Sequence, residues 1–171
     1  MLDIVPPAEL DVPIPATMVS AAITPPQTDL SPQITGSSAT YTEWKEAGKV
    51  NLHSGMSTMH RIGEVISDIS FCYDNDYVYF RIEMMEFTEE NDIIELKFVS
   101  NADEIITMNC YRNCFAVETQ TNVKMLFARK DTIDIAIEAK FFANKIKFLV
   151  KTISEGNTIS YPINDYFQFE Y

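Results

Sequence analysis

Apolar residues recur at every second position over most of this chain, and no other feature of the sequence restricts its fold so tightly. Val78, Phe80 and Ile82 alternate with Tyr77, Tyr79, Arg81 and Glu83, and Ile94, Leu96 and Phe98 alternate with Glu95 and Lys97. Further on, Ile133, Ile135 and Ile137 alternate with Asp134, Ala136 and Glu138. Ile146, Phe148 and Val150 alternate with Lys145, Lys147 and Lys151. Weaker runs cover Val65 to Phe71, Ile105 to Asn109, Phe115 to Glu118 and Val123 to Phe127. A period of two puts one greasy and one polar face on each strand, which is the pattern of antiparallel sheets stacked on a shared core. Turn residues separate the runs: Asp74-Asn75-Asp76, Asn101-Ala102-Asp103 and Glu155-Gly156-Asn157. Eight or more short strands without a βαβ rhythm predict an all-β antiparallel sandwich.

With 171 residues, the chain is long enough for one self-sufficient core. Its formal net charge of −12 argues against nucleic acid as a partner, because phosphate binding needs clustered Lys and Arg. No apolar run approaches the roughly 20 residues that span a bilayer, and Met1 to Leu10 lack the basic and apolar regions of a signal peptide. Cys72, Cys110 and Cys114 form an odd set without a framework spacing. Reduced thiols in a cytoplasmic protein are the expectation, with no membrane partner.

Seven of the eight prolines fall between Pro6 and Pro32, and no Lys or Arg precedes Lys45. Proline restricts itself and the residue before it to extended conformations, so residues 1–38 are expected to form an extended arm and residues 39–171 the sandwich domain. The arm carries Ile4, Val5, Leu10, Ile14, Met18, Val19 and Ile23, more apolar surface than a solvated linker needs. Part of it is expected to lie along the domain. Thr40-Tyr41-Thr42-Glu43 reads as a capping box and Gly48 as a left-handed stop. The short helix between them would place Tyr41, Trp44 and Ala47 on one face.

No catalytic motif emerges. His53 and His60 are not in a metal-binding spacing, Cys110 and Cys114 have no second pair, and Asp74-Asn75-Asp76 lacks the glycine and glutamate of a calcium loop. Neither a phosphate-binding loop nor a nucleophile elbow is present. The expectation is a non-enzyme without cofactor or metal. Exposed aromatic rings could stack on sugars: Tyr77 and Tyr79 hold the polar-facing register of their strand, and Tyr41 shares a helical face with Trp44. The alternative for each is packing.

The run Gly36-Ser-Ser-Ala-Thr-Tyr-Thr-Glu-Trp-Lys-Glu-Ala-Gly48, then Met59-His60-Arg61, Ile69 to Asp74 and Tyr77 to Glu83, resembles the C-terminal β-domain of family-57 glycoside hydrolases. Order and spacing match over about residues 25 to 85. The glycine expected in the turn before Asp74 is replaced by Cys72 or Tyr73. In that family the catalytic glutamate and aspartate lie in an upstream barrel that this chain lacks, so no catalytic residue carries over. The resemblance implies a non-catalytic accessory domain that packs on a catalytic domain and contacts α-glucan. The alternative function is a protein–protein interaction module without sugar affinity. Candidate ligand or interface residues are Tyr41, Trp44, His60, Arg61, Tyr77 and Tyr79. Trp44, His60 and Arg61 could instead form an internal brace, with Arg61 paired to a carboxylate and Trp44 plugging the end of the sandwich.

Overall fold

The structure, a computed structural model, describes residues 23–50, 52, 65–84, 92–112, 114–154, 157–162 and 166–171. The strands are β1 (Ile23–Thr24), β2 (Gly48–Val50), β3 (Ile66–Tyr73) and β4 (Tyr77–Met84). They continue with β5 (Ile93–Val99), β6 (Ile105–Cys110), β7 (Phe115–Thr119) and β8 (Met125–Arg129). The last are β9 (Thr132–Glu138), β10 (Lys145–Ser154), β11 (Asn157–Tyr161) and β12 (Phe167–Glu170). One antiparallel sheet has the order β1-β2-β3-β4-β9-β8, and the other β11-β10-β5-β6-β7. Strand β12 pairs with the first half of β10 and β11 with the second half. The expected all-β sandwich is therefore what forms.

The alternating residues meet between the sheets. Val78, Phe80 and Ile82 of the first sheet face Leu96, Phe98 and Phe148 of the second, all nearly inaccessible to water. The rings of Phe80 and Phe98 have centroids 4.9 Å apart, and Phe148 meets Phe80 edge-on at 5.1 Å. Each such fully buried side chain contributes about 1.5–3 kcal/mol of transfer free energy. A four-residue helix, α1 (Ala139–Phe142), carries the chain from β9 in one sheet towards β10 in the other, with Phe141 and Phe142 buried.

The other short helix departs from expectation. Ser38–Trp44 is a 3₁₀ helix, and its N-cap is Ser37, whose Oγ accepts from the amide of Ala39. Thr40 does not cap it, because its hydroxyl is taken by Arg81. Glu43 accepts from the amide of Gln33 instead of reaching back to a cap. Gly48 is not a left-handed stop either. It lies in β2, where a Cβ would come within 2.7 Å of the Thr24 carbonyl oxygen and 2.6 Å of the Phe71 ring. Of the two described glycines the left-handed one is Gly36, at φ +67°.

The first sheet does not present the polar outer face that alternation predicts. Ser70, Cys72, Tyr79, Arg81, Asp134 and Ala136 point away from the main core, yet all six are buried. The cover is the chain from about residue 27 to Ala47, which runs across the sheet as a strap. It makes a second, smaller apolar cluster of Trp44, Ala47, Cys72, Tyr79 and Ala136, with Leu30, Ile34 and Tyr77 at its margin. Period two marks which side a residue takes, but not whether another segment covers that side.

Candidate functional site

The strap is fastened at two polar points. At the first, Arg81 on β4 stands directly across from Asp134 on β9 and meets it in a two-pronged ion pair, with Nε to Oδ1 at 2.8 Å and Nη2 to Oδ2 at 2.7 Å. Both side chains are essentially inaccessible, at 1% and 0% exposure. Charges so placed need hydrogen-bond partners, and the strap supplies several. Asp134 also accepts from the Thr132 hydroxyl and from the amides of Thr35 and Gly36. The second prong of Arg81 also donates to the Thr40 hydroxyl and the Ser37 carbonyl. Trp44 lies over the guanidinium at 4.7 Å from its carbon to the ring centroid, a cation–π contact that closes the site to water.

Gly36 makes this fastening possible. Its carbonyl accepts from the amides of Asp131 and Thr132 while its own amide donates to Asp134. A Cβ there would sit 2.7 Å from the backbone of Arg129. At the second point, Asp74 in the β3–β4 turn accepts from the Ser31 hydroxyl, the Tyr79 hydroxyl and the amides of Asp76 and Tyr77. Partial burial pushes the Asp74 carboxyl up, but these hydrogen bonds outweigh it and hold the group below its ordinary range. The Tyr79 hydroxyl is driven well above its usual value by burial and by Asp74.

This arrangement turns two of the expected platform residues inward. Trp44 and Tyr79 are buried, with both faces of Trp44 committed to the interior. Tyr77 is half-buried, its ring 6.1 Å from that of Tyr79 and 6.0 Å below the Lys124 ammonium. Tyr41 alone among the described candidates presents its ring to solvent, at 55% exposure. His60 and Arg61 lie outside the described residues. Trp44 itself belongs to a buried brace with Arg81 and Asp134.

A different surface has the character of a docking site. Strands β7 and β8 end their respective sheets at the same side of the sandwich. Phe115 and Phe127 point from them towards the gap between the sheets and touch, with centroids 3.9 Å apart. At the end of its sheet, Phe115 remains 48% exposed although it lies in the core-facing register opposite Cys110. Leu126, on the outward side of β8, is 45% exposed. Sequence reasoning left these residues among the weaker runs. Their signal was the loss of a clean polar alternate in Met125-Leu-Phe-Ala128. We call this surface the seam.

The three cysteines are free; burial pushes the thiols of Cys72 and Cys110 up to about 12, while Cys114 is exposed beside the seam. Among the described residues no group of His, Cys, Asp and Glu side chains is arranged to hold a metal ion, and no helix is long and apolar enough to cross a membrane. Comparison with protein-family models, with curated proteins and with solved structures gives no match.

Proposed function

We propose that this chain is a non-catalytic interaction module that docks a protein surface through the β7–β8 seam. The observation that carries the reading is the Phe115–Phe127 pair, with Phe115 exposed and Phe127 partly buried, set between two strands that each lack an outer strand neighbour among the described residues. Apolar side chains clustered at unpaired strand edges are what soluble sandwiches otherwise avoid. A cytoplasmic location goes with this reading, since the thiols are unpaired. The test is a photo-crosslinking residue placed at Ala116 or Leu126 and, as a control, at Thr158 on β11. Adducts to one protein from the two seam positions and none from Thr158 are expected. Equal labelling from all three positions sinks the proposal.

A second reading is favoured by Tyr41 and by the motifs that resemble the family-57 glycoside hydrolase β-domain. It makes the chain an accessory domain that packs on a catalytic barrel and touches α-glucan weakly. Maltooligosaccharides should then raise the melting temperature in a concentration-dependent way, and Tyr41→Ala should abolish the rise. An unchanged melting temperature with every glucan removes this reading and leaves the first.

A further inference from the structure

The seam offers more than apolar side chains, because no described strand pairs with the outer edge of β7. Every residue of Phe115-Ala-Val-Glu-Thr119 is exposed or half-exposed, and among the described residues β6 is its one strand neighbour. Of the usual protections of an edge strand it lacks a lysine, a proline and a bulge in its pairing with β6, and Glu118 is its single charge. We propose that the occupant of the β7 edge is β7 of a second copy of this chain, added antiparallel across a two-fold axis near Val117. This names the partner for the docking reading above and rests on it.

Three features favour a second copy. A two-fold pairing centred on Val117 is self-complementary: Val117 faces its own copy, Phe115 faces Thr119, and Ala116 faces Glu118, so neither phenylalanines nor glutamates are set directly opposite each other. Charge is distributed to match. The Phe115 end of β7 follows the turn that holds exposed Arg112, while the other end carries exposed Glu118 and lies beside exposed Glu104. Antiparallel addition lays the basic end of one copy along the acidic end of the other. Finally, the pairing makes one continuous sheet from two five-strand paths, and it brings the Phe115–Phe127 pairs of both copies towards the join. The contact is short, and each copy carries a net charge of −12, so the dimer forms weakly, in the micromolar to millimolar range.

Sedimentation velocity on the full chain from about 1 μM to about 1 mM tests this. The weight-average mass should climb from 19.5 kDa towards twice that value. Val117→Pro, which removes an amide that points to the open edge and leaves the pairing of Ala116 with Asn109 intact, should hold it at the monomer value with an unchanged circular dichroism spectrum. As an independent readout, Val117→Cys in a Cys114→Ser background should give a covalent dimer under mild oxidation, because directly opposed antiparallel residues fall within disulfide reach. Thr158→Cys in that background should not. A monomer at every concentration, or a dimer indifferent to Val117→Pro, overturns the proposal. Site-dependent crosslinking from Ala116 to another protein would still stand in that case, so the docking reading fails or survives separately.

Discussion

Asp134 gathers five hydrogen bonds onto two carboxylate oxygens, and three of them come from outside its ion pair. Removing it does more than cut one contact: the Arg81 charge and two strap amides are left buried without an acceptor. Asp134→Ala should therefore lower stability by about 3–5 kcal/mol in urea denaturation. The double replacement Arg81→Met with Asp134→Leu should cost less than the sum of the single changes, since no uncompensated charge remains. Strict additivity would mean that the pair does not act as a unit. In the sequence, Arg81 and Asp134 were legible as outward positions on two strands. Their partnership was not, because the register that sets them opposite each other joins residues 53 apart. A brace built on an arginine, a carboxylate and Trp44 was foreseeable in kind, while its members depend on which strands pair.

At the scale of the element, the strap is held by tertiary contacts more than by its own helix. A seven-residue 3₁₀ segment gains little from local hydrogen bonding, and its cap fell to Ser37 because Arg81 claimed Thr40. Local sequence could not decide between two hydroxyl residues three positions apart, each suited to an N-cap. The Asp74 fastening gives the strap a pH dependence with a definite sign. The carboxyl has its folded-state pKa lowered from 3.8, so its ionised form adds stability above that value, and the addition is lost as pH falls through the lower folded value. The stability gap between the wild type and Asp74→Asn should be full at neutral pH and close as pH drops below 3.8. Fluorescence of Trp44, the single tryptophan, reports the release as a red shift. A gap that persists unchanged into strong acid would show that another group carries the acid sensitivity.

For the whole molecule, the sandwich was readable from alternation and turns, since these are local. The order of strands was not. Pairings such as β5 with β10 and β4 with β9 join distant segments, and they decide which strands end at the open side. That order sets a gradient of local stability. Strands β4, β9, β5 and β10 lie inside their sheets with both edges paired over much of their length, whereas β7 is shallow and paired on one side. Amide hydrogen exchange should be slowest in those four strands, at rates near global unfolding, and fastest among the strands in β7. Slow exchange throughout β7 in dilute monomer would mean that the seam is closed.

The bond from the Gly36 amide to Asp134 spans 98 positions along the chain. During synthesis Gly36 and Trp44 emerge long before the strand that anchors them, and at ordinary translation rates that interval is roughly 5–20 s. For that time Trp44 has no Arg81–Asp134 pair to cover, so the nascent chain carries an unsheltered aromatic segment that a chaperone can hold. The last fastening to close is thus one whose strap residues left the ribosome 98 positions ahead of their anchor.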